Sequence, residues 1–175
     1  MDKETTRIRT LQVTDAEALL AFEVQNREWF ERHIEARNPA FYSIQGVRDH
    51  IADYLSGLAA GTWHPFVIED ASGTIIGRAN LKDIDTHERS AQVGYRIAQQ
   101  ACGQGLATLA VSHLIQQAQM HWGLGQLLAN VYAENIGSVK VLRRCGFVIA
   151  RAGEDEAGRD DWYSLSIQLV ESRSV

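Results

Sequence analysis

A glycine-containing turn at residues 100–106 has the composition of an anion site. It reads Gln-Ala-Cys-Gly-Gln-Gly-Leu, with Gly103 and Gly105 one residue apart. Glycine adopts left-handed backbone conformations readily, so such a turn can aim several N–H groups at one point. An extended run, 91–97, precedes the turn, and a segment with helical period, 106–121, follows it. The free N–H groups and the positive end of the helix dipole predict a pyrophosphate site that needs no basic side chain.

Two other phosphate-binding motifs do not fit this turn. The dinucleotide fingerprint needs a third glycine three residues after Gly105, where the chain has Thr108. The P-loop needs Gly-Lys-Ser/Thr, and the sequence contains no such triplet. The alternative is that Gly103 and Gly105 only shape a strand-to-helix turn.

Composition restricts the class of protein. The chain has 175 residues, 45% apolar and 22% charged, which predicts one domain over residues 1–175. No apolar run approaches the roughly 20 residues that span a bilayer, and the N-terminus is too polar for a signal peptide. We therefore expect a cytoplasmic protein with no membrane partner. The net charge of −5 argues against a duplex nucleic-acid partner and weakly favours cationic substrates such as amines.

Cysteine usage indicates neither a disulfide framework nor a metal site. Cys102 and Cys145 lie far apart in the sequence and share no ligand spacing, so we expect free thiols and no metal. Cys102 lies inside the glycine turn, but no histidine is near it in sequence. A covalent mechanism through this cysteine is therefore not favoured.

The hydrophobic patterns predict a mixed α/β chain. The first helix, capped by Thr14 or Asp15, should bury Ala18, Leu19, Phe22 and Val24. An irregular stretch with Trp29, Phe30, Phe41 and Tyr42 should follow. The predicted strands are 7–11, 63–69, 75–84, 91–97, 127–131, a strand beginning at 146, and 162–169, and the other predicted helices are 46–58, 106–121 and 137–145.

Gln100, Gly103 and Gly105 match the pattern (Arg/Gln)-x-x-Gly-x-(Gly/Ala), which resembles the acyl-CoA signature of the GNAT superfamily of N-acetyltransferases. Asn135, Ser138 and the later Gly-Phe pair resemble the second conserved block of that superfamily. Residues 26–30 and 92–97 resemble segments of its ribosomal-protein N-terminal (RimJ/RimL-type) branch. The resemblance implies a GNAT-like fold, mixed α+β, with one central, mostly antiparallel twisted sheet flanked by helices.

The same resemblance implies an acetyl-CoA site. The pyrophosphate would bind at the glycine turn. The pantetheine arm would lie along the strand that precedes the turn and contact Asn135, although the position of Asn135 also fits a plain helix N-cap. Splaying of that strand from its neighbour would free backbone groups, and an N–H of Val93 or Tyr95 would polarise the thioester. The implied CoA-binding residues are Val93, Tyr95, Ile97, Gln100, Ala101, Cys102, Gly103, Gln104, Gly105, Leu106, Ala107, Asn135 and Ser138.

The catalytic groups depart from the superfamily pattern. Leu142 occupies the position where many members place a tyrosine that protonates the leaving thiolate. Ser138 then becomes the candidate acid, although its hydroxyl could instead be satisfied within its own helix. Gln92 replaces a strand carboxylate and cannot act as a base. The remaining candidate bases are Glu154 and Glu156, with Asp83, Asp85, His87 and Glu88 as alternatives, and a water chain would also suffice.

The implied activity is acetyl transfer from acetyl-CoA to a primary amine, by direct attack in a ternary complex. The favoured acceptor is the α-amine of a protein or peptide N-terminus, with Trp29 and Phe30 near the acceptor cleft or in the core. The alternatives are a small-molecule amine, such as a polyamine, amino acid or antibiotic, and a non-catalytic acyl-CoA-binding sensor. A homodimer is compatible with the resemblance.

Overall fold

The computed structural model describes residues 5–153 and 162–171. The described strands are β1 (Arg7–Thr10), β2 (His64–Glu69), β3 (Ile75–Asp85), β4 (Ser90–Ile97), β5 (Gln126–Tyr132), β6 (Val148–Gly153) and β7 (Trp162–Gln168). The described helices are α1 (Ala16–Gln25), α2 (Arg27–Glu31), α3 (Ile44–Ala60), α4 (Leu106–Met120) and α5 (Ile136–Arg144). None of the described helices is both long and apolar enough to cross a membrane.

One seven-stranded sheet organises the chain, with strand order β1-β2-β3-β4-β5-β7-β6. Every neighbouring pair is antiparallel except β4 and β5, which run parallel. The predicted fold class, a mostly antiparallel sheet flanked by helices, is confirmed. The single parallel pair lies in the middle of the sheet, where the chain crosses over through α4.

The two faces of the sheet carry different side chains because residues alternate along each strand. Ala79 and Phe66 pair on one face, and the ring of His113 from α4 contacts Phe66 there at 4.6 Å between centroids. Arg78 points to the opposite face, where it contacts Glu23 of α1 and His50 of α3. The core beneath α4 is therefore apolar, whereas the layer beneath α1 and α3 contains charged groups.

For the first helix, the predicted set of buried residues was partly wrong. Leu19 and Phe22 are buried as predicted, but Ala18 and Val24 are exposed, and Glu23 is fully buried instead of Val24. The cause is electrostatic, because Glu23 meets guanidinium groups from the sheet that its sequence neighbours do not reveal. The irregular stretch predicted after α1 contains the short helix α2.

Asp15 and Ser43 show how two helices begin. Asp15 precedes α1, but its carboxylate makes no cap hydrogen bond to that helix and instead accepts bonds from Arg9 and from the N–H of Gln12. The Ser43 hydroxyl accepts a hydrogen bond from the N–H of Gly46 at 3.0 Å, so α3 starts at Ile44, two residues before the predicted start.

Candidate active site

A split in the sheet separates β4 from β5. The two strands pair only at Ser90–Gln126, Ala91–Leu127 and Gln92–Leu128, and then each continues beside its outer neighbour alone. The predicted splaying of this strand is therefore present in the structure. It opens a wedge in the middle of the sheet, between residues 93–97 of β4 and 129–132 of β5.

The backbone of β4 presents free groups to the split. Just after the strand, the N–H of Ala98 donates to the carbonyl of Ile76 at 2.9 Å, so this residue bonds toward β3. In an antiparallel pair, residues alternate between facing the partner strand and facing away from it. The N–H and C=O groups of Tyr95 and Ile97 and the C=O of Val93 therefore face the split, where no strand pairs with them. The N–H of Val93, a predicted donor to the thioester, instead faces the Leu128 carbonyl, because Gln92 bonds toward β3 and is paired with Leu128.

Two cavities meet at the split and share Tyr95, Arg96, Asn135, Ser138, His33 and Ile34. The larger cavity, about 550 Å³, extends from the split to the glycine turn and is bounded by Gly103, Gly105 and Ile136. The smaller cavity, about 230 Å³, lies toward α3 and is bounded by Tyr54, Asn80 and Lys82. Two molecules bound in the two cavities would therefore contact each other at the free edge of β4.

The glycine turn has the backbone that its sequence predicts. Gly103 and Gly105 have φ angles of 78° and 77°, in the left-handed region that favours glycine. The first helical bond of α4 joins the N–H of Leu109 to the carbonyl of Gly105 at 3.0 Å. Among the described residues, no acceptor takes a hydrogen bond from the N–H groups of 103–108. These donors lie at the positive end of a helix of 15 residues, which suits them to an anion.

Asn26 anchors this turn to the first two helices. Its side-chain carbonyl accepts a hydrogen bond from the N–H of Gln99 at 3.0 Å, and its amide donates to the carbonyl of Phe22 at 2.9 Å. Asn26 is only 2% exposed, so both bonds are shielded from water. This asparagine therefore positions the chain that enters the glycine turn.

Most residues with a predicted CoA role border the larger cavity. Those that line it are Tyr95, Ile97, Ala101, Cys102, Gly103, Gly105, Leu106, Ala107, Asn135 and Ser138. Val93 lines the smaller cavity instead. Gln100 and Gln104 line neither cavity and are exposed at the turn, where the Gln104 amide reaches the Gln100 carbonyl at 3.5 Å.

Asn135 and Ser138 stand where α5 begins beside the split. The side-chain carbonyl of Asn135 accepts a hydrogen bond from the N–H of Ser138 at 3.3 Å, which leaves the Asn135 amide free to donate. The Tyr95 hydroxyl is buried without a well-formed hydrogen bond. Burial raises the pKa of Tyr95 to about 12, against a smaller opposing interaction with Ser138. Leu142 is fully buried and lines the smaller cavity.

The predicted acceptor residues Trp29 and Phe30 lie beside the larger cavity. Phe30 is buried and packs on Phe22 with ring centroids 5.4 Å apart, while Trp29 is half-buried and meets His33 edge-on. Their predicted role in acceptor binding stays a prediction. Neither residue borders the smaller cavity.

The thiol of Cys102 has no activating partner among the described residues. Its sulfur lies 3.4 Å from the carbonyl oxygen of Ala98. Burial raises the pKa of Cys102, and a weaker interaction with Trp29 opposes that rise. A raised thiol pKa makes the thiolate scarcer, so the geometry does not favour a covalent cysteine mechanism.

The predicted bases do not meet at the split in the described part of the chain. Glu154 and Glu156 lie outside the described residues. Asp83 and Asp85 lie at the exposed end of β3, and His87 and Glu88 follow in the turn to β4, where their N–H groups donate to the Asp85 carboxylate. None of these four residues lines either cavity. Residues 5–153 and 162–171 also contain no cluster of three or more side chains suited to a metal ion.

A buried charge cluster beside the smaller cavity was missed by sequence reasoning. One oxygen of the Glu23 carboxylate accepts from Arg78 at 2.8 Å and from Arg37 at 3.3 Å, and the other accepts from Arg96 at 3.1 Å. Burial alone would raise the pKa of Glu23, but the three guanidinium groups outweigh it, and the pKa is lowered. Glu23 is therefore ionised and fully engaged.

His50 completes this cluster as a neutral group. Its Nε2 lies 2.8 Å from Nη2 of Arg78, and arginine can only donate, so this ring nitrogen accepts. Burial and the positive charge of Arg78 lower the pKa of His50 to about 2. Burial likewise lowers the pKa of Arg96 to about 10, although Glu23 opposes that change. The cluster keeps a net positive charge.

Lys82 lies on the same sheet face, over Gly94. A Cβ on Gly94 would stand 3.2 Å from the Lys82 Nζ, so the missing side chain makes room for the ammonium group. Lys82 makes no hydrogen bond or ion pair with any described residue. Burial lowers the pKa of Lys82; the negative charge of Asp83 opposes that change, and the positive charge of Arg96 adds to it more weakly. The alternation Arg78-Ala79-Asn80-Leu81-Lys82 is the sequence signal that could have revealed this polar face.

Comparison with known proteins assigns the chain to a family. Residues 6–148 match the family described as "Acetyltransferase (GNAT) domain". The chain belongs to this family. It is therefore an acyltransferase, and acetyl-CoA is its co-substrate. The sensor alternative is not supported.

Relatives differ in the acceptor that they use. YjcK of Bacillus subtilis (strain 168), a probable N-acetyltransferase, is 32% identical over 146 residues, 82% of this chain and 81% of that protein. A ribosomal-protein-S5-alanine acetyltransferase from Vibrio fischeri has a TM-score of 0.88 at 22% identity, over 97% of this chain and 96% of that one. Spermidine N-acetyltransferase from Vibrio cholerae, in complex with CoA and spermine, has a TM-score of 0.77 at 24% identity, over 95% of this chain and 97% of that one. The fold is consistent with the predicted RimJ/RimL-type branch, whereas these relatives use different acceptors.

Proposed function

We propose that this acetyltransferase acts on the free α-amine of a peptide or protein N-terminus. The observation that carries the proposal is the split between β4 and β5, which joins the two cavities at a free strand edge. Acetyl-CoA fits the larger cavity because that cavity ends at unpaired N–H groups and runs along unpaired backbone. The acceptor then approaches from the smaller cavity, on the other side of Tyr95.

The residues of the larger cavity each have a distinct task. The N–H groups of 103–108 bind the pyrophosphate, and the Asn135 amide donates to the pantetheine arm. Acetyl-CoA supplies an activated thioester, whose carbon–sulfur bond breaks as the new carbon–nitrogen bond forms. The free N–H of Tyr95 donates to the carbonyl oxygen, where negative charge develops. Ser138 gives a proton to the departing sulfur and regains one from solvent, while the amine nitrogen releases its proton to bulk water through a water chain.

The choice of an α-amine follows from proton chemistry. An α-amine has a pKa near 8, whereas a lysine side chain or polyamine has one near 10.4, so only the α-amine has a useful neutral fraction at pH 7. No free carboxylate lines the smaller cavity in the described part of the chain, and Glu23 is held by three arginines. Since the described residues place no free carboxylate in this cavity, an amine that is already partly neutral at pH 7 is the better substrate. Orientation in the cavities supplies much of the rate.

A small-molecule amine is the second candidate acceptor. The volume of the smaller cavity, about 230 Å³, favours a compact acceptor or the first residues of a chain. Its cationic lining argues against a polyamine, since like charges repel strongly at short range in a partly buried site. The small molecules that fit best are therefore amino-acid-like rather than polyamines.

The proposal is tested by release of CoA thiol from acetyl-CoA in the presence of a peptide pool with free N-termini. The control is the same pool blocked at the α-amine. We expect release only with the free pool and a lower kcat for Ser138→Ala, while Ser56→Ala, at an exposed position on α3, behaves as wild type. Equal release with both pools would contradict the N-terminal acceptor. Release with small amines alone would support the second candidate.

A further inference from the structure

The positively charged side chains around the smaller cavity indicate a second chemical group on the acceptor molecule. We propose that this cavity binds an anionic group, a carboxylate or phosphate, on the same molecule as the acceptor amine. This inference rests on the proposed function, because it assigns the smaller cavity to the acceptor. It adds a recognition element, formed by Lys82, Arg37 and Arg96, that selects among amines.

The first argument is the balance of charge. Arg37, Lys82 and Arg96 line the smaller cavity, and Arg78 lies just behind it. Glu23 is the carboxylate that meets these arginines, and no Asp or Glu lines this cavity within residues 5–153 and 162–171. Four cations against the Glu23 carboxylate leave a formal excess of three positive charges, because His50 is held neutral, and an excess of two remains when the exposed Asp83, which interacts with Lys82, is counted. A buried or half-buried excess of this size is stabilised by an anion.

The second argument is the set of donors left without an acceptor. Lys82 is half-buried and makes no ion pair with the described residues. The Nε of Arg37 is buried and has no hydrogen-bond partner, although Nη2 of the same group reaches Glu23. Buried polar groups without partners are rare because each costs free energy. The two cations bound the same cavity, so one anionic ligand can satisfy both.

The third argument is that Glu23 orients the arginines without exhausting them. Each guanidinium carries five N–H donors, and Arg96 uses one of them on Glu23. Arg37 is also held over the ring of Phe41 at 4.5 Å, and Arg96 over that of Phe30 at 5.1 Å. These packed guanidinium groups lose little freedom on binding, which favours recognition of a planar carboxylate or a phosphate.

Two sources of anion share this chemistry. An acidic side chain near the start of a peptide would place a carboxylate close to the α-amine. A free amino acid carries its own carboxylate at the same carbon as the amine. Both predict the same dependence on Lys82, but they differ in which acceptors are acetylated.

The test compares initial rates for matched acceptors. The peptides are Ala-Asp-, Ala-Asn- and Ala-Lys-initiated pentapeptide amides, and the small acceptors are alanine and alanine amide. We expect kcat/KM to be at least about tenfold higher for the acidic peptide than for its Asn counterpart, and lowest for the Lys peptide, since charge-assisted bonds are strong. A preference for alanine over alanine amide with no peptide turnover assigns the anion to a small acceptor. Equal rates for all five, or preference for the Lys peptide, would overturn the inference.

Variants of the cavity connect that preference to its cause. Lys82→Met should remove most of the acidic preference by raising KM for the acidic peptide, and Lys82→Arg should restore that preference. Lys82→Glu should shift the preference toward the Lys peptide. Lys140→Met, at an exposed position on α5 outside both cavities, is the matched control and should behave as wild type. An unchanged acidic preference in Lys82→Met would contradict the role of Lys82.

A binding measurement separates failure of this inference from failure of the proposed function. N-acetyl-aspartate amide and N-acetyl-asparagine amide are titrated calorimetrically into the CoA-saturated protein. We expect the acid to bind at least about tenfold more tightly in wild type and equally in Lys82→Met. Such binding without any transfer would leave the anion site standing and reject the N-terminal acceptor. Transfer to α-amines, with equal affinity for the two ligands, would support the N-terminal acceptor and reject the anion site.

Discussion

The two cavities that meet at the split bind by different physical means. The larger one presents backbone, with N–H groups of the glycine turn at one end and the free edge of β4 along its side. The smaller one presents charged side chains from the segment after α2 and from two strands, and Glu23 of α1 holds two of these side chains in place. Main-chain donors are fixed once the fold forms, whereas the charged cavity depends on a few long-range pairs such as Glu23–Arg78.

This difference separates acetyl-CoA binding, which the fold itself provides, from acceptor choice, which depends on individual side chains. Any sequence that makes the turn and the split acquires the backbone donors, because they depend on topology and two glycines. The charged lining depends on individual side chains that can change without disturbing the sheet. We therefore expect substitutions on the larger side to change acetyl-CoA affinity, and substitutions on the smaller side to change stability or acceptor choice.

The largest expected effect comes from Glu23→Gln. Removing the carboxylate leaves three buried guanidinium groups without their counter-charge, and breaking one partner of a buried ion pair typically costs about 3–5 kcal/mol. We expect the free energy of unfolding, measured by urea denaturation, to fall by an amount in that range.

Its control is Glu28→Gln, which breaks the exposed pair between Glu28 and Arg32 on the surface. Exposed pairs contribute little, so this variant should unfold close to wild type. Similar losses in both variants would mean that the buried cluster has no special role. An unchanged Glu23→Gln would refute the account of the charged layer.

The next effect concerns Gly103→Ala, compared with Gly73→Ala. The two glycines have φ angles of 78° and 82°, and a Cβ on either would meet nothing within 4 Å. The cost of a left-handed alanine is therefore the same, about 1–2 kcal/mol in each. Only Gly103 lies in the turn beside the larger cavity, so only Gly103→Ala should also weaken acetyl-CoA binding.

Calorimetric titration of acetyl-CoA checks this comparison. We expect about a tenfold weaker Kd for Gly103→Ala, which corresponds to about 1.4 kcal/mol. Gly73→Ala should lose stability without losing affinity. Equal affinities in the two variants would show that the turn is structural only, which is the alternative left open by its sequence.

The smallest effect is expected from Cys102→Ala. The thiol lines the larger cavity, but burial raises its pKa and its nearest acceptor is a backbone carbonyl. Activity in the thiol-release assay should therefore stay within about twofold of wild type. Complete loss of transfer with acetyl-CoA binding intact would establish a covalent role and reject direct attack.

The fold and the larger cavity could be predicted because their signals are local. Alternation in 75–84 and 91–97 predicts the strands, and the spacing of Gly103 and Gly105 predicts the left-handed turn. The splaying of β4 followed from the family resemblance. Asn135 could be assigned both as a helix cap and as a cavity residue because one side chain carries both an acceptor and a donor.

The charged cavity could not be predicted because its partners are distant in sequence. Glu23 lies on α1, 55 residues from Arg78, and a carboxylate at an apparently apolar helix position is usually solvated. The pairing becomes visible only when the sheet brings Arg78 and Arg96 beneath that helix. The role of Asn26 is likewise a long-range one, since its bonds to Gln99 and Phe22 tie the helices to the glycine turn.

The central claim is that two ligands meet at the free edge of β4 from opposite sides. Backbone amide NMR tests it, with separate titrations of CoA and N-acetyl-aspartate amide. We predict that CoA shifts the amide signals of 103–108, that the acid shifts that of Lys82, and that both shift that of Tyr95. Shifts from both ligands confined to the glycine turn, with Lys82 and Tyr95 unmoved by the acid, would contradict the account.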